Sequence, residues 1–330
     1  MTVAEGFTDL TTPLRGELLA HCYRMVGSAD EAEDLVQDTY LRAWRSYDRF
    51  EGRSSVRTWL YKIATNVCLT AIERRGRRPL PSGLGGPSDD PEAPLVAAPE
   101  VPWLQPFPEA LLAGVDQDPA AVAASHAGIR LALVAALQYL SARQRAVLIL
   151  RDVLEWPAAE TAELLGTTTT AVNSGLVRAR AQLAQTLPAE EGLAEPTEPE
   201  QRALLDRFAT AIEDADVPAL AEMLREDVAL EMPPALTWFH GRPAVARCLA
   251  AQFLTAPGRL RLVRTMANGQ AVFAVYQIGE DGAYRAHAVI APTVTASGIS
   301  RMVAFANPAL FSLFGLPPVH DLPPPGPAPA

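Results

Sequence analysis

Two helical patterns meet at Gly166, and no other stretch of the chain restricts its fold so tightly. Upstream, Pro157 stands at a helix-start position, where its missing N–H does no harm, and Ala159, Ala162 and Leu165 share one helical face. Gly166 supplies the tight turn, and the hydroxyls of 167–170 are placed to cap the next helix. In that helix Ala171, Val172, Leu176, Ala179 and Leu183 make the stripe expected to be buried. Thr169 and Thr170 open it, Asn173, Ser174 and Arg178 fall away from the stripe, and Arg180 follows. A helix-turn-helix offers the polar N-terminal half of its second helix to base edges and its arginines to phosphates. An ordinary helical hairpin shares the glycine turn but not this clustering of polar residues.

The chain has 330 residues and a net charge of −10, which taken as an average speaks against a nucleic-acid binder. The distribution says otherwise. Residues 80–120 carry seven acids and no base, whereas 126–187 carry six bases and four acids. The segment 80–120 is also rich in Pro and Gly and reads as a mobile linker between helical blocks 10–79 and 121–187. A second linker, 188–199, precedes a mixed block, 200–318, and the tail 319–330 is expected to be disordered. No run of 18 apolar residues suggests a membrane span, and the first residues lack the basic region of a secretory signal. Cys22, Cys68 and Cys248 are far apart and odd in number, so a reducing cytoplasm is expected, with no metal site and no cofactor.

The stretch from Ala135 to Leu183, with its Arg143-Gln144-Arg145 turn and closing Arg178-Ala179-Arg180, resembles region 4 of extracytoplasmic-function (ECF) sigma factors. That region reads the −35 promoter element. The resemblance assigns DNA contacts to Thr169, Thr170, Asn173, Ser174, Arg178 and Arg180. Ser141 stands where the family usually has proline, and Gly175 where a longer, often basic residue is common; such a glycine costs roughly 1 kcal/mol of helix propensity, so a modest −35 affinity is expected.

Residues 31–46 form an amphipathic helix whose buried side is expected from Leu35, Tyr40, Leu41 and Trp44. Asp34, Gln37 and Asp38 lie within one turn of each other, which alone suggests only a solvated acidic face. The run around them resembles region 2.2 of ECF sigma factors, which binds the clamp helices of the largest subunit of core RNA polymerase. The following segment is similar to regions 2.3 and 2.4, which open the −10 element. Capturing a single strand needs a pocket for an unstacked base and cations along its backbone. Arg53, Arg57, Lys62 and the run 74–78 carry suitable charge, and by resemblance Asn66 contacts a flipped −10 base. Trp59, Leu60 and Ile63 are expected in the core.

Within the linker, 101–112 is unusually apolar, and Trp103, Leu104 and Phe107 are expected to be exposed between prolines. It resembles a linker motif of ECF groups with a C-terminal extension, and the expectation is docking on the C-terminal domain or on polymerase.

The block 200–318 places helices before strand-like runs at 228–233, 260–266, 270–277, 284–291 and 298–304, an α+β pattern with an antiparallel sheet. It resembles the SnoaL-like domain, a nuclear-transport-factor-2-like cone whose cavity often takes a small apolar ligand. Met232, Trp238, Tyr276 and His287, with Phe239 and Phe273, are the residues expected to line it. His240 and His287 are the histidines of the domain body, and structural roles are expected for them rather than catalysis.

The predicted architecture is thus multidomain: two all-α sigma domains, then an α+β cone. The predicted function is promoter-specific initiation with core RNA polymerase and promoter DNA as partners, regulated in cis by the cone and by any small molecule it binds. A ligand-sensing helix-turn-helix regulator independent of polymerase, or an enzyme tethered to DNA, shares the helix-turn-helix but does not call for the Asp34–Asp38 face.

Overall fold

The computed structural model describes residues 3–50, 52, 54–112, 129–186 and 197–321. The chain divides into two units: Met1–Arg78 with Leu104–Ala189, and Pro79–Trp103 with Glu190–Ala330.

The helical unit opens with α1 (Val3–Thr11), α2 (Arg15–Val26), α3 (Ala29–Ser46) and α4 (Val56–Arg75). Helices α2, α3 and α4 pack mutually. Helix α3 buries Ala29, Glu31, Ala32, Leu35, Val36, Thr39 and Ala43. Leu41 and Trp44, expected inside, are 55% and 44% exposed. Small side chains at Thr39 and Ala43 let neighbouring helices approach, and the Thr39 hydroxyl donates to the Leu35 carbonyl at 2.7 Å, so no polar group is stranded. Helices α5 (Leu131–Leu137) and α6 (Ala142–Leu148) follow, then a π-helical turn (Ile149–Val153), α7 (Ala158–Leu164) and α8 (Thr169–Thr186). Ser141 builds a capping box: its hydroxyl accepts from the Gln144 N–H, and Gln144 Oε1 accepts from the Ser141 N–H at 3.1 Å.

The two helical blocks share a core. Arg145 of α6 donates to the Met25 carbonyl at the end of α2 and to Gln138 Oε1 at 2.8 Å. A helix C-terminus leaves carbonyls unpaired, and a cation there satisfies both their hydrogen bonding and the helix dipole. Burial draws the Arg145 guanidinium down to about 10. Tyr61 of α4 packs on Trp156 at 5.4 Å between ring centres.

His21 is buried between α2 and α4, its Nε2 3.0 Å from Thr65 Oγ1 and its Nδ1 without a hydrogen-bond partner. Burial, and secondarily the Arg24 charge, push its pKa down to about 3. The unfolded chain takes up this proton near pH 6.5 while the folded chain stays neutral. Stability is therefore complete above pH 6.5 and declines as pH falls towards 3, by about 2 kcal/mol at pH 5. Urea melts at pH 7 and pH 5 should show this loss in the native chain and a smaller one in His21→Asn; an equal loss in both would contradict it.

The second unit contains α9 (Glu198–Glu213), α10 (Val217–Met223), β1 (Leu224–Glu231), β2 (Trp238–His240), α11 (Arg242–Gln252), β3 (Leu260–Ala267), β4 (Gln270–Ile278), β5 (Tyr284–Thr295), β6 (Gly298–Phe305), α12 (Leu310–Leu313) and β7 (Val319–His320). Among the described residues the sheet runs β2-β1-β6-β5-β4-β3, with β7 on β5. It is mixed rather than antiparallel, because β1 lies parallel to β6. Leu205 and Phe208 of α9 and Val245 of α11 cover Val228, Leu230, Phe273, Val275 and Met302 on one sheet face. The tail was expected to be irregular from 319, but Val319 and His320 pair with Arg285 and Tyr284; the rest of that expectation, 322–330, lies outside the described residues.

Residues 80–112 of the expected linker are among those described, and their first part is hydrogen-bonded within the second unit. Pro79–Trp103 belongs to the second unit. The Ser82 N–H donates to Glu231 Oε2 at 2.9 Å, Trp238 Nε1 to the Gly85 carbonyl at 2.9 Å, and the Leu236 N–H to the Val96 carbonyl at 2.7 Å. Gln252 Nε2 adds bonds to the Pro91 and Ala93 carbonyls at 3.1 and 3.2 Å. Prolines surrender little conformational entropy on ordering, so a few such bonds hold the segment. Of the remaining linker expectations, 113–120 and 188–196 lie outside the described residues, as do 121–128 and 187 of the second helical block.

Candidate nucleic-acid interface

Helix α8 buries Val172, Leu176 and Ala179 and half-buries Leu183. Ala171, expected in the same stripe, is exposed and lines a cleft of about 380 Å³ between α6 and α8 instead. Thr169, Thr170, Asn173, Ser174, Arg178 and Arg180 are all exposed. The turn before α8 depends on Gly166 at φ 61, a left-handed conformation costly to other residues. The Thr168 hydroxyl accepts from the Ala171 N–H at 3.2 Å and caps the helix. Arg180 is committed within the fold: its guanidinium is bidentate on Asp152 at 2.7 and 2.8 Å. Arg178 and Arg143 flank the α6–α8 cleft. A Cβ on Gly175 would meet Val147 Cγ2 at 3.9 Å, an ordinary contact, so the glycine is not demanded by packing.

On α4, Lys62 and Asn66 are exposed one turn apart. Lys62 shares a cleft of about 660 Å³ with Phe50, Ser55 and Trp59, and α7 contributes Glu160, Glu163 and Leu164 to its wall. Trp59 is half-buried, stacked on Phe50 at 4.7 Å, whereas Leu60 is fully buried. Arg57 is tied to Glu17 at 2.7 Å and lies over the Tyr61 ring. The basic run is partly structural too: Arg75 and Arg78 converge on the buried Glu31 at 2.9 and 2.7 Å, and Arg77 lies over the Tyr139 ring. Arg53 lies outside the described residues.

Asp34, Gln37 and Asp38 are exposed on α3, with Leu41 continuing their row at i, i+3, i+4 and i+7. Leu41, Trp44, Tyr40 and Gln37 border a groove of about 550 Å³ closed on its far side by Phe7 and Thr8 of α1. Phe7 packs edge-on against Trp44 at 5.2 Å. Sequence reasoning put Leu41 and Trp44 inside; the missed signal was that Ala32, Leu35, Val36, Thr39 and Ala43 already complete a helical stripe.

The three linker residues separate. Leu104 and Phe107 are buried in the helical unit, Phe107 against Tyr23 at 4.6 Å, while Trp103 is half-buried and donates to the Ala98 carbonyl at 2.9 Å. Between them Gln105 Oε1 accepts from the Ser28 hydroxyl at 2.7 Å and the Ala29 N–H at 3.1 Å, capping α3 from outside. Gly27, at φ 74, makes room: a Cβ there would stand 2.8 Å from Leu104 Cδ1. The second unit does not unite its proposed cavity residues. Met232, Phe239 and Phe273 are in the core, but Trp238 pairs with the linker, Tyr276 packs on Phe311 and bonds to the Pro317 carbonyl, and His287 sits at the register shift of β5. Strand alternation explains it, since Trp238 and Tyr276 point to the face opposite Phe239 and Phe273. Among the described residues no cluster of His, Cys, Asp or Glu could hold a metal, and no helix is long and apolar enough to cross a membrane.

Residues 10–78 match the family model Sigma-70 region 2, residues 130–183 Sigma-70, region 4, and residues 205–303 the SnoaL-like domain. These define a transcription initiation factor with two DNA-facing helical modules and a C-terminal α+β domain. The ECF RNA polymerase sigma factor SigG of Mycobacterium tuberculosis is 48% identical over 315 residues, covering 94% of this chain and 84% of that protein. SigJ of the same species is 27% identical over 302 residues, covering 86% and 84%. Its crystal structure superposes with a TM-score of 0.58 at 24% identity, covering 96% of this chain and all of that one. The chain belongs to the ECF sigma factors of RNA polymerase.

Proposed function

We propose that this factor, working in the cytoplasm and without enzymatic activity, docks on core RNA polymerase through the Asp34–Gln37–Asp38–Leu41 row. It then reads the −35 element with α8 and captures the −10 strand beside Trp59, Lys62 and Asn66. The carboxylates of Glu160 and Glu163 border the Lys62 cleft, so a phosphate backbone gains access only when α7 moves aside. Its C-terminal domain regulates it in cis, and the observation that carries this is the hold of that domain on the linker.

The held segment, Pro79–Trp103, lies between two anchors in the helical unit: Arg78 on Glu31, and Leu104 beside Gly27. The grip on 79–103 thereby governs whether 104–112 stays docked. Undocking would lengthen the tether between the two DNA-reading modules by up to about 30 Å. Trp238→Ala combined with Glu231→Ala should loosen the grip. Full-length holoenzyme carrying both changes is expected to alter transcript yield at least threefold and to show faster protease cleavage within 79–103. Unchanged yield with unchanged cleavage would remove the cis-regulatory reading.

A further inference from the structure

Among the described residues the solvent face of α8 carries one large apolar side chain that the fold does not use. Val177 is 66% exposed, the most exposed large hydrophobic among the described residues. A single exposed valine is ordinary on a protein surface. Its position is not. Thr170, Asn173, Ser174 and Val177 stand at i, i+3, i+4 and i+7, one row along the exposed side of the helix. Groove-reading helices of the homeodomain type use this same spacing to reach base edges.

The chemistry of the row is uneven. Asn173 presents an amide, which matches adenine N6 and N7 in the major groove. Val177 has no donor or acceptor, so it cannot read a hydrogen-bond pattern. The major groove offers one apolar group to such a side chain, the C5-methyl of thymine. Four residues along a helix advance about 6 Å, close to two base steps of roughly 3.4 Å. Val177 therefore reaches one or two base pairs beyond the pair faced by Asn173.

We infer that Val177 is a specificity-determining residue of the −35 contact, taking the C5-methyl of a thymine within two base pairs of the pair read by Asn173. The inference rests on the placement of α8 in the −35 major groove. Replacing thymine by deoxyuridine removes only that methyl and leaves every hydrogen-bonding group in place.

The test uses full-length protein assembled with core RNA polymerase, on a promoter that this holoenzyme selects from a randomised library. Each −35 thymine is replaced singly by deoxyuridine, and open-complex formation is measured for the native chain, Val177→Ala and Asn173→Ala. One position should show a loss of about fourfold with the native chain, the worth of one buried methyl group. Val177→Ala should lower binding to the thymine promoter by a similar factor and be indifferent to the replacement. A selected −35 element without thymine, no sensitive position, or a sensitivity that persists in Val177→Ala would overturn the inference. Asn173→Ala separates the two levels. If it weakens −35-dependent binding while deoxyuridine has no effect, only the role of Val177 fails. If neither variant changes −35 dependence, the placement of α8 fails and takes the inference with it.

Discussion

Reversing charge at Asp34 and Asp38 together is expected to weaken binding to core RNA polymerase by about 100-fold while leaving the fold intact. Both carboxylates are exposed, and Asp38 has one modest engagement, with Arg42 at 3.7 Å along the same helix. Such a pair contributes at most a few tenths of a kcal/mol, so Asp34→Lys with Asp38→Lys should shift the melting temperature little. At a docked interface the effect is different in kind. Juxtaposed like charges cost several kcal/mol, and each 1.4 kcal/mol is tenfold in affinity. Leu41→Ser should act in the same direction, because the apolar groove it borders with Trp44 continues the row. Fluorescence anisotropy of labelled protein with core polymerase checks the prediction, and native-like affinity in the double reversal would refute it.

The largest stability effect is expected at Glu31. Glu31 is 6% exposed, and its carboxylate receives Arg75 at 2.9 Å and Arg78 at 2.7 Å. Breaking a buried ion pair by removing one partner costs about 3 to 5 kcal/mol, and Glu31 is the carboxylate that two guanidinium groups share. Glu31→Ala should therefore lower the melting temperature of the helical unit by roughly 10 °C. Arg75→Ala should cost under about 1 kcal/mol, because the Arg75 side chain is 63% exposed and solvent screens its pair. Calorimetry of the two variants decides this; equal melting points would place the stabilisation elsewhere.

The helix-turn-helix was legible because its determinants are local. Gly166 at positive φ, a threonine cap and a 3.6-residue stripe can each be recognised within twenty residues. The strands at 260–267, 270–278 and 298–305 were legible for the same reason, from alternation between close turns. What escaped depends on partners distant in the chain. Leu41 and Trp44 look like core until Thr39 and Ala43 are seen to give the closer helix packing. The parallel pairing of β1 with β6 joins residues about seventy positions apart, and no local pattern announces it. Arg57 reads as a DNA contact from its charge and Arg180 from resemblance, yet Glu17 and Asp152 engage them within the fold. The linker escaped most completely. Its prolines and acids announce none of the hydrogen bonds that its first part makes with Glu231, Trp238 and Gln252, more than 140 residues away.

This chain directs initiation through polymerase rather than by binding DNA alone. Run-off transcription on a library of genomic promoters, with purified full-length protein and core RNA polymerase added separately and together, tests it most directly. Defined transcripts sharing a common upstream pair of elements should arise only from the combination, and should disappear with Asp34→Lys and Asp38→Lys. Sequence-specific DNA binding by the protein alone, with no transcripts in the presence of core enzyme, would contradict the account.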